Sequence, residues 1–391
     1  MAEARDEVRG EVDNLRTAVE WAAVHWDDHE ARSAFDSLNT FFWMHSWFEG
    51  AESFERISGL LDGRTSPKRV SALVHQTDLV ALLGYDEGSE KVALESLPQV
   101  RELGLTRELG KCLLTLGTFA CHRDAYPDAI AFLEEAEHVT RATGDVIEYL
   151  VTLIQLGWAR LLMANLEAAR EAFQTGYEAA TEIGNPLLRA YLVTKLGLLA
   201  DAEGDFESAM GFHKRGQDLF TSVGDVGGTG YTLSRSSMSA YCLGDYPEAM
   251  RLGRAGFEAF SAVNHRWGVI SALCRMGFAA VGLGEFTEAR RDFLRALELA
   301  QQSKAQSLVL HALSGAGVLL AREGATARAA QILLFSLNHP GLPPAYRMVA
   351  QPDLDALETQ LPPDDFAAAK EAAATADLEE LVAGVRRDLD S

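Results

Sequence analysis

Hydrophobic and polar positions along this chain follow the spacing of α-helices, and no stretch alternates in the manner of a β-strand. The segment 191–225 shows the pattern. Its first half is apolar and ends near Gly204, Asp205 follows where a helix N-cap belongs, and an amphipathic second half runs to about Val223. The pattern predicts two helices joined by a short turn.

The same arrangement returns every 40 residues. One phase of the first helix holds glycine in five copies and Ser237 in another, and an alanine follows twelve residues later in every copy. A strict period of this size indicates a solenoid of stacked helix pairs. The glycines are Gly117, Gly157, Gly197, Gly277 and Gly317, and the alanines are Ala129, Ala169, Ala209, Ala249, Ala289 and Ala329.

The small residues at these two phases have a packing reason. Glycine within a helix costs about 1 kcal/mol relative to alanine, so five glycines at one phase imply a compensating contact. We expect the glycine of the first helix and the alanine of the second helix to let the two helices cross closely. The aromatic residue that follows the turn would then fill the gap to the next repeat.

The repeat divides the chain into three segments. A repeat array occupies residues 67–337, with five full copies between about 110 and 310. Residues 1–66 form a helical segment, interpreted as divergent hairpins, as a docking face for another domain, or as both. Residues 338–391 begin with a proline-rich break and continue as a helical cap. The aromatic residues clustered in the first segment are Trp21, Trp26, Phe41, Phe42, Trp43, Trp47 and Phe48.

The spacing of glycine, turn glycine, aromatic residue and alanine resembles the tetratricopeptide repeat, although this unit has 40 residues instead of the usual 34. That resemblance implies an all-α fold, a right-handed α-α superhelix of helical hairpins with helical caps. The segments 11–22, 42–57 and 361–382 resemble the flanks of the repeat region in bacterial STAND-type signal-transduction ATPases. This family includes MalT-like regulators with LuxR-type or AfsR-type DNA-binding domains.

The resemblance to STAND-type regulators implies a ligand- or partner-sensing domain for protein interaction, joined to an N-terminal nucleotide-binding domain in a longer chain. A free-standing adaptor that scaffolds protein partners is the alternative. An upstream P-loop domain in the same reading frame would favour the sensor. A start codon at Met1 with its own ribosome-binding site would favour the adaptor.

Charge and composition argue against several other functions. The formal net charge of −22 disfavours direct binding of nucleic acid, which needs a basic surface. No apolar stretch approaches the roughly 20 residues of a membrane span, and the charged start lacks a secretory apolar core. We therefore expect a cytoplasmic protein without membrane contact. The four cysteines show no CxxC pairing, which favours buried thiols over a metal site.

The sequence contains no recognisable catalytic constellation, so we predict a chain that is not an enzyme and that binds no cofactor or metal. Residues 104–112 depart from a P-loop in their glycine spacing, and Cys112 stands where Ser or Thr would hold magnesium. His25 and His29 lie four residues apart and offer only two metal ligands, so surface histidines are the simpler interpretation.

One phase of three successive first helices predicts a ligand-binding surface. Lys195, Arg235 and Arg275 lie 40 residues apart, and Tyr191 and Tyr231 precede the first two by four residues. In tetratricopeptide domains that bind acidic peptide tails, this phase faces the concave groove. We expect an anionic inducer or an acidic peptide there, unless each base pairs with an acid of a neighbouring repeat or only extends its charged end to solvent. A second groove-facing phase, one turn on, holds Trp158, Met238 and Phe278.

Overall fold

The structure, a computed structural model, describes residues 12–45, 47–61, 66–84, 86–303, 305–342 and 344–390. These residues form twenty α-helices and no β-strand, which confirms the predicted all-α fold. The chain divides into two compact units, residues 1–179 and 180–391. This division follows packing, so the three segments defined by the repeat stay a prediction.

The helices of the first unit alternate with short turns, and α9 extends past its boundary. They are α1 (Val12–His25), α2 (Asp28–His45), α3 (Trp47–Leu60), α4 (Pro67–Leu83), α5 (Glu87–Glu102), α6 (Thr106–His122), α7 (Tyr126–Thr143), α8 (Val146–Leu162) and α9 (Leu166–Glu182).

The second unit continues the alternation and adds three helices beyond the repeats. Its helices are α10 (Pro186–Glu203), α11 (Phe206–Val223), α12 (Val226–Cys242), α13 (Tyr246–Ala262), α14 (Arg266–Leu283), α15 (Phe286–Gln302), α16 (Gln306–Arg322), α17 (Thr326–Asn338), α18 (Pro344–Gln360), α19 (Pro363–Ala374) and α20 (Leu378–Asp390).

The turn between α10 and α11 is defined by a glycine and an aspartate. Gly204 ends α10 in the left-handed region at φ 79°, which glycine adopts without steric cost. Asp205 then accepts a hydrogen bond from the backbone N–H of Ser208 and caps α11. Asp225 and Asp245 cap α12 and α13 in the same way. The predicted N-cap at Asp205 is confirmed.

The repeated glycines lie against large side chains of the paired helix. A Cβ atom added at Gly197 would lie 2.5 Å from the His213 ring, and one at Gly277 would lie 2.6 Å from the Phe293 ring. The contact partner of each of these glycines is therefore the residue sixteen positions on. The partners at that spacing are Leu133, Phe173, His213, Phe293 and Leu333.

In one copy a serine replaces the glycine of the first helix, and a glycine stands at the facing position of the second helix. Ser237 occupies the glycine phase, and Gly253 stands sixteen residues later, where a Cβ would lie 3.2 Å from the Ser237 hydroxyl. The same hydroxyl donates to the carbonyl oxygen of Ala249 at 2.7 Å, so the two helices do approach closely at the alanine phase. All six repeated alanines are buried. The predicted close crossing therefore holds, with one small and one large residue at its centre.

The last three helices pack on the end of the array. α18 contacts α16 and α17, α19 contacts α17, and α20 contacts α15 and α16. Polar contacts hold α20 in place, because Arg290 donates to the carbonyl oxygen of Asp388 at 2.8 Å and Arg328 pairs with the Asp388 carboxylate at 2.9 Å. The buried face of α20 includes Leu381, Val382 and Val385.

The aromatic cluster near the start is divided between core and surface. Phe42 is buried, whereas Trp21, Trp26 and Phe48 are exposed. The Trp43 side chain lies outside the described residues. A docking face in this segment stays a prediction. None of the described helices combines the length and the apolar character that crossing a bilayer requires.

Candidate functional site

The three predicted cations lie on α10, α12 and α14, the first helices of successive repeats. Lys195 is half-buried, but Arg235 and Arg275 keep only 8% and 3% of their surface exposed. Sequence position alone suggested an open row of charges. The structure instead gives two guanidinium groups inside the second unit.

Arg275 is held by hydroxyl groups. Its Nη1 donates to Ser234 Oγ at 2.8 Å and also to the side chain of Ser271, while its Nε has no hydrogen-bond partner among the described residues. Burial, followed by the positive charge of Arg235, lowers the pKa of Arg275 to about 10. The group therefore stays charged at neutral pH, in a site where its charge is costly.

Arg235 rests on an aromatic ring. Its guanidinium carbon lies 5.2 Å from the centre of the Tyr231 ring. Burial acts to lower the pKa of Arg235, but Tyr231, Tyr346 and Asp201 outweigh it, so this pKa lies above its ordinary value. Its Nε has no partner among the described residues.

Neither guanidinium pairs with a carboxylate. Among the described residues, no Asp or Glu oxygen lies within 4.0 Å of either group. Asp201, the nearest acid in sequence, instead pairs with His213 at 3.0 Å and accepts from the Ser239 hydroxyl at 2.7 Å. The alternative in which each arginine pairs with an acid of a neighbouring repeat is therefore wrong for Arg235 and Arg275.

Two further residues surround the arginines. His311 of α16 is fully buried between Phe278, at 5.6 Å, and Tyr346 of α18, whose ring centre lies 3.9 Å away. Neither ring nitrogen of His311 has a hydrogen-bond partner among the described residues. Burial and then the charges of Arg275 and Arg235 hold the pKa of His311 well below its ordinary value. We call Arg235, Arg275, His311 and Tyr346 the arginine cluster.

The low pKa of His311 makes the second unit sensitive to acid. Unfolding returns this group to its ordinary pKa near 6.5, so the unfolded chain binds the proton more tightly. We expect the free energy of unfolding to fall as pH drops below about 6.5, and we expect His311→Gln to lose part of that slope. Denaturant titrations between pH 5 and 7.5 measure it; equal slopes in both proteins would contradict the assignment.

The remaining predicted residues are distributed more widely. Met238 and Phe278 are buried in the core of the second unit, and Phe278 packs edge-on against Phe293. Tyr191 is half-buried and packs edge-on against Phe220. Trp158 is half-buried in the first unit and packs against its core. Ligand contact by these four residues stays a prediction, and the first two would need a neighbour to move.

The 40-residue spacing also extends to His311 of the arginine cluster. Ser271 and His311 continue the 40-residue phase of Tyr191 and Tyr231, so the same register places them on α14 and α16. Tyr346 carries no such signal, because it lies beyond the repeats.

The first unit contains its own buried charges at this phase. Lys111 of α6 lies between Asp78, at 3.4 Å, and Glu148, at 3.0 Å. Burial acts to lower the pKa of Lys111, and the two carboxylates outweigh it, so this pKa lies above its ordinary value. Asn39 Nδ2 donates to the Asp78 carboxylate at 3.1 Å. We call Lys111, Asp78 and Glu148 the lysine network.

The weaker sequence motifs fall in ordinary helical positions. Residues 104–112 form a turn and the start of α6, with Cys112 buried. His25 Nδ1 donates to the carbonyl oxygen of Trp21 at 2.8 Å. The described residues contain no group of three or more His, Cys, Asp or Glu side chains placed to hold a metal ion.

The family comparison agrees with the repeat. Residues 270–303 match the tetratricopeptide repeat. This segment includes Arg275 and most of the α14–α15 pair. No curated protein matches the chain.

Solved structures share the helical-repeat fold. A STAND protein with a tetratricopeptide repeat sensor, from Pyrococcus horikoshii, aligns over 92% of this chain with a TM-score of 0.62 and 12% identity. A Rap protein complexed with Competence and Sporulation Factor aligns over 97% of this chain and 99% of its own length, with a TM-score of 0.56 and 12% identity. The quorum sensor NprR from B. thuringiensis, in its apo form, aligns over 97% of this chain and 99% of its own, with a TM-score of 0.52 and 13% identity. The chain spans about half the length of the Pyrococcus protein, 52%.

Proposed function

We propose that this chain is the ligand- or partner-sensing region of a STAND-type regulator. Its sensing face would be the first-helix surface of α10, α12 and α14, and its ligand an anionic inducer or an acidic peptide. The observation that carries the proposal is the pair of buried guanidinium groups, Arg235 and Arg275, without a carboxylate partner among the described residues. The parent chain would supply a nucleotide-binding domain, and the output domain would bind DNA.

The likeness to the Pyrococcus protein supports this assignment, because that protein is a STAND protein with a tetratricopeptide repeat sensor. The chain spans 52% of that protein, which leaves room there for other domains. The quorum sensor NprR is likewise described as a sensor. All these likenesses are at 13% identity or less, so they support the fold directly and the sensing role only by analogy.

A free-standing adaptor is the second candidate. The observation in its favour is the Rap protein, which the chain matches over 99% of that protein's length. An antibody raised against this chain distinguishes the two candidates in lysates of the source cells. A band far larger than 42.6 kDa, with nucleotide-binding sequence in its tryptic peptides, supports the sensor. A band at 42.6 kDa supports the adaptor and overturns the sensor.

The response of the whole regulator tests the sensing face. We expect the double variant Arg235→Ala and Arg275→Ala to lose at least tenfold of the response to a small-molecule extract of the source cells, measured as the change in ATP hydrolysis. Circular dichroism checks that the fold is kept. The matched control is Arg251→Ala with Arg254→Ala on the exposed surface of α13, which removes equal charge. A full response from the first variant would exclude these arginines from sensing.

A further inference from the structure

Three neighbouring first helices bring nitrogen donors to one place in the second unit. α12 supplies Arg235, α14 supplies Arg275 and α16 supplies His311. The Nε atoms of both arginines and both ring nitrogens of His311 are buried and lack a hydrogen-bond partner among the described residues. The large majority of buried polar atoms in proteins have a hydrogen-bond partner. Four buried nitrogen atoms without one, in a single cluster, therefore indicate a ligand.

The cluster carries an excess of positive charge. Its described polar neighbours are the hydroxyl groups of Ser234, Ser271 and Tyr231, and the single carboxylate that acts on Arg235, that of Asp201, forms no ion pair with either arginine. Arginine cannot release its proton at neutral pH, so two buried charges persist. A buried charge without a counter-charge is costly, and an anion would offset that cost for both groups together.

The two guanidinium groups lie close together, because Arg275 Nη1 donates to Ser234 Oγ at 2.8 Å and Ser234 directly precedes Arg235 in α12. Arg235 and Arg275 act electrostatically on each other, and both act on Tyr231, Tyr346 and His311. They therefore share one site rather than two separate sites along a row. A guanidinium group holds a carboxylate or a phosphate through two parallel hydrogen bonds, and neutral His311 offers one further N–H.

Helix α18 packs against α16 at His311, one member of this site. Tyr346 keeps 3% of its surface exposed and lies flat on His311, with 14° between the two ring planes. Further along α18, Asp353 pairs with Arg322 of α16 at 2.9 Å. The Tyr346 ring therefore occupies one face of the His311 ring.

We propose that Arg235, Arg275 and His311 form a binding site for one carboxylate or phosphate group, beside the Tyr346 ring that stacks on His311. The inference rests on the proposed function, because it names the chemical group by which the sensed ligand is held. The row of cations expected from the sequence becomes a single site for one anionic group.

Thermal unfolding of the isolated chain tests the site with two probes, sodium phosphate and sodium succinate, against sodium chloride at equal ionic strength. We expect at least one probe to raise the Tm of the wild type and of Arg251→Met, which removes an exposed cation of α13. We expect calorimetry to give one probe ion per chain. Arg275→Met should weaken that binding at least tenfold. A response to phosphate alone, to succinate alone or to both identifies the preferred group.

The variant should fold, because Arg275→Met removes an unpaired buried charge; its Tm in chloride is expected to equal or exceed that of the wild type. Hydrogen exchange of the wild type provides a readout that needs no variant, since probe binding should change protection in residues 231–235 and 344–350. Equal Tm shifts in all three proteins, or no shift and no change in exchange in the wild type, would overturn the site. The proposed function has its own test, the length of the native protein in lysates, so the two can fail independently.

Discussion

Gly197→Leu is expected to lower the free energy of unfolding by about 3 kcal/mol, the upper part of the range for overpacked cores. A Cβ at this position already lies 2.5 Å from the His213 ring. The ring is fully buried and its Nε2 is fixed to Asp201 at 3.0 Å, so it has no free direction in which to move. Urea denaturation followed by circular dichroism measures the loss.

Gly211→Leu is the matched control, because it makes the same change on the paired helix α11. A Cβ at Gly211 meets no atom within 4 Å, and this position is exposed. Here leucine is expected to raise the free energy of unfolding by up to about 1 kcal/mol, since glycine is the weaker helix former. The two variants should therefore differ in sign. A loss of equal size in both would show that the close contact at Gly197 is not the cause.

Hydrogen exchange locates the damage. In a repeat array, each unit is stabilised mainly by its neighbours, so the loss of protection in Gly197→Leu should centre on residues 190–225. Unchanged protection there would mean that the helix crossing tolerates the larger residue.

The fold was predictable because the same local residue pattern recurs in successive repeats. Gly204 and Asp205 mark a helix end and a helix start by local chemistry alone, and the structure keeps both. The partner of Gly197 was not predictable in the same way. Its contact with His213 depends on the angle at which α10 and α11 cross, and the sequence shows the small residue more clearly than the large one that fills it.

The candidate site was predictable only as far as the repeat register extends. The register placed Arg235 and Arg275 on one face, but it did not show that both side chains are buried or that His311 meets Tyr346 of α18, which lies outside the repeat. Tyr346 lies 35 residues beyond His311 in the chain and meets it only because α18 folds back onto α16. A contact of this kind depends on how the chain folds back after the last repeat. The 40-residue period carries no information about that path.

The second large effect is expected in the lysine network of the first unit. Lys111→Met should lower the free energy of unfolding by about 3 kcal/mol, the lower end of the range for removing one partner of a buried ion pair. The side chains of Lys111, Asp78 and Glu148 keep only 14%, 12% and 17% of their surface exposed. Loss of the ammonium group leaves two carboxylates near each other, and Glu148 Oε1 already lacks a partner among the described residues.

The loss in the free energy of unfolding caused by Lys111→Met should be smaller at low pH. Burial holds the pKa of Glu148 above its ordinary value even with Lys111 present, and removal of the lysine raises that pKa further. The folded state of the variant then binds a proton more tightly than the unfolded state, so its free energy of unfolding recovers as pH falls. Denaturant titrations at pH 7 and pH 5 should therefore give a smaller difference from the wild type at pH 5.

Two further variants separate charge from size. Lys91→Met makes the same substitution at an exposed position of α5 and should change the free energy of unfolding by less than about 0.5 kcal/mol. Glu148→Gln added to Lys111→Met removes one uncompensated carboxylate and should recover part of the loss, with little dependence on pH. If the double variant were no more stable than Lys111→Met, lost packing of the lysine stem would explain the effect, and the electrostatic account of the network would be wrong.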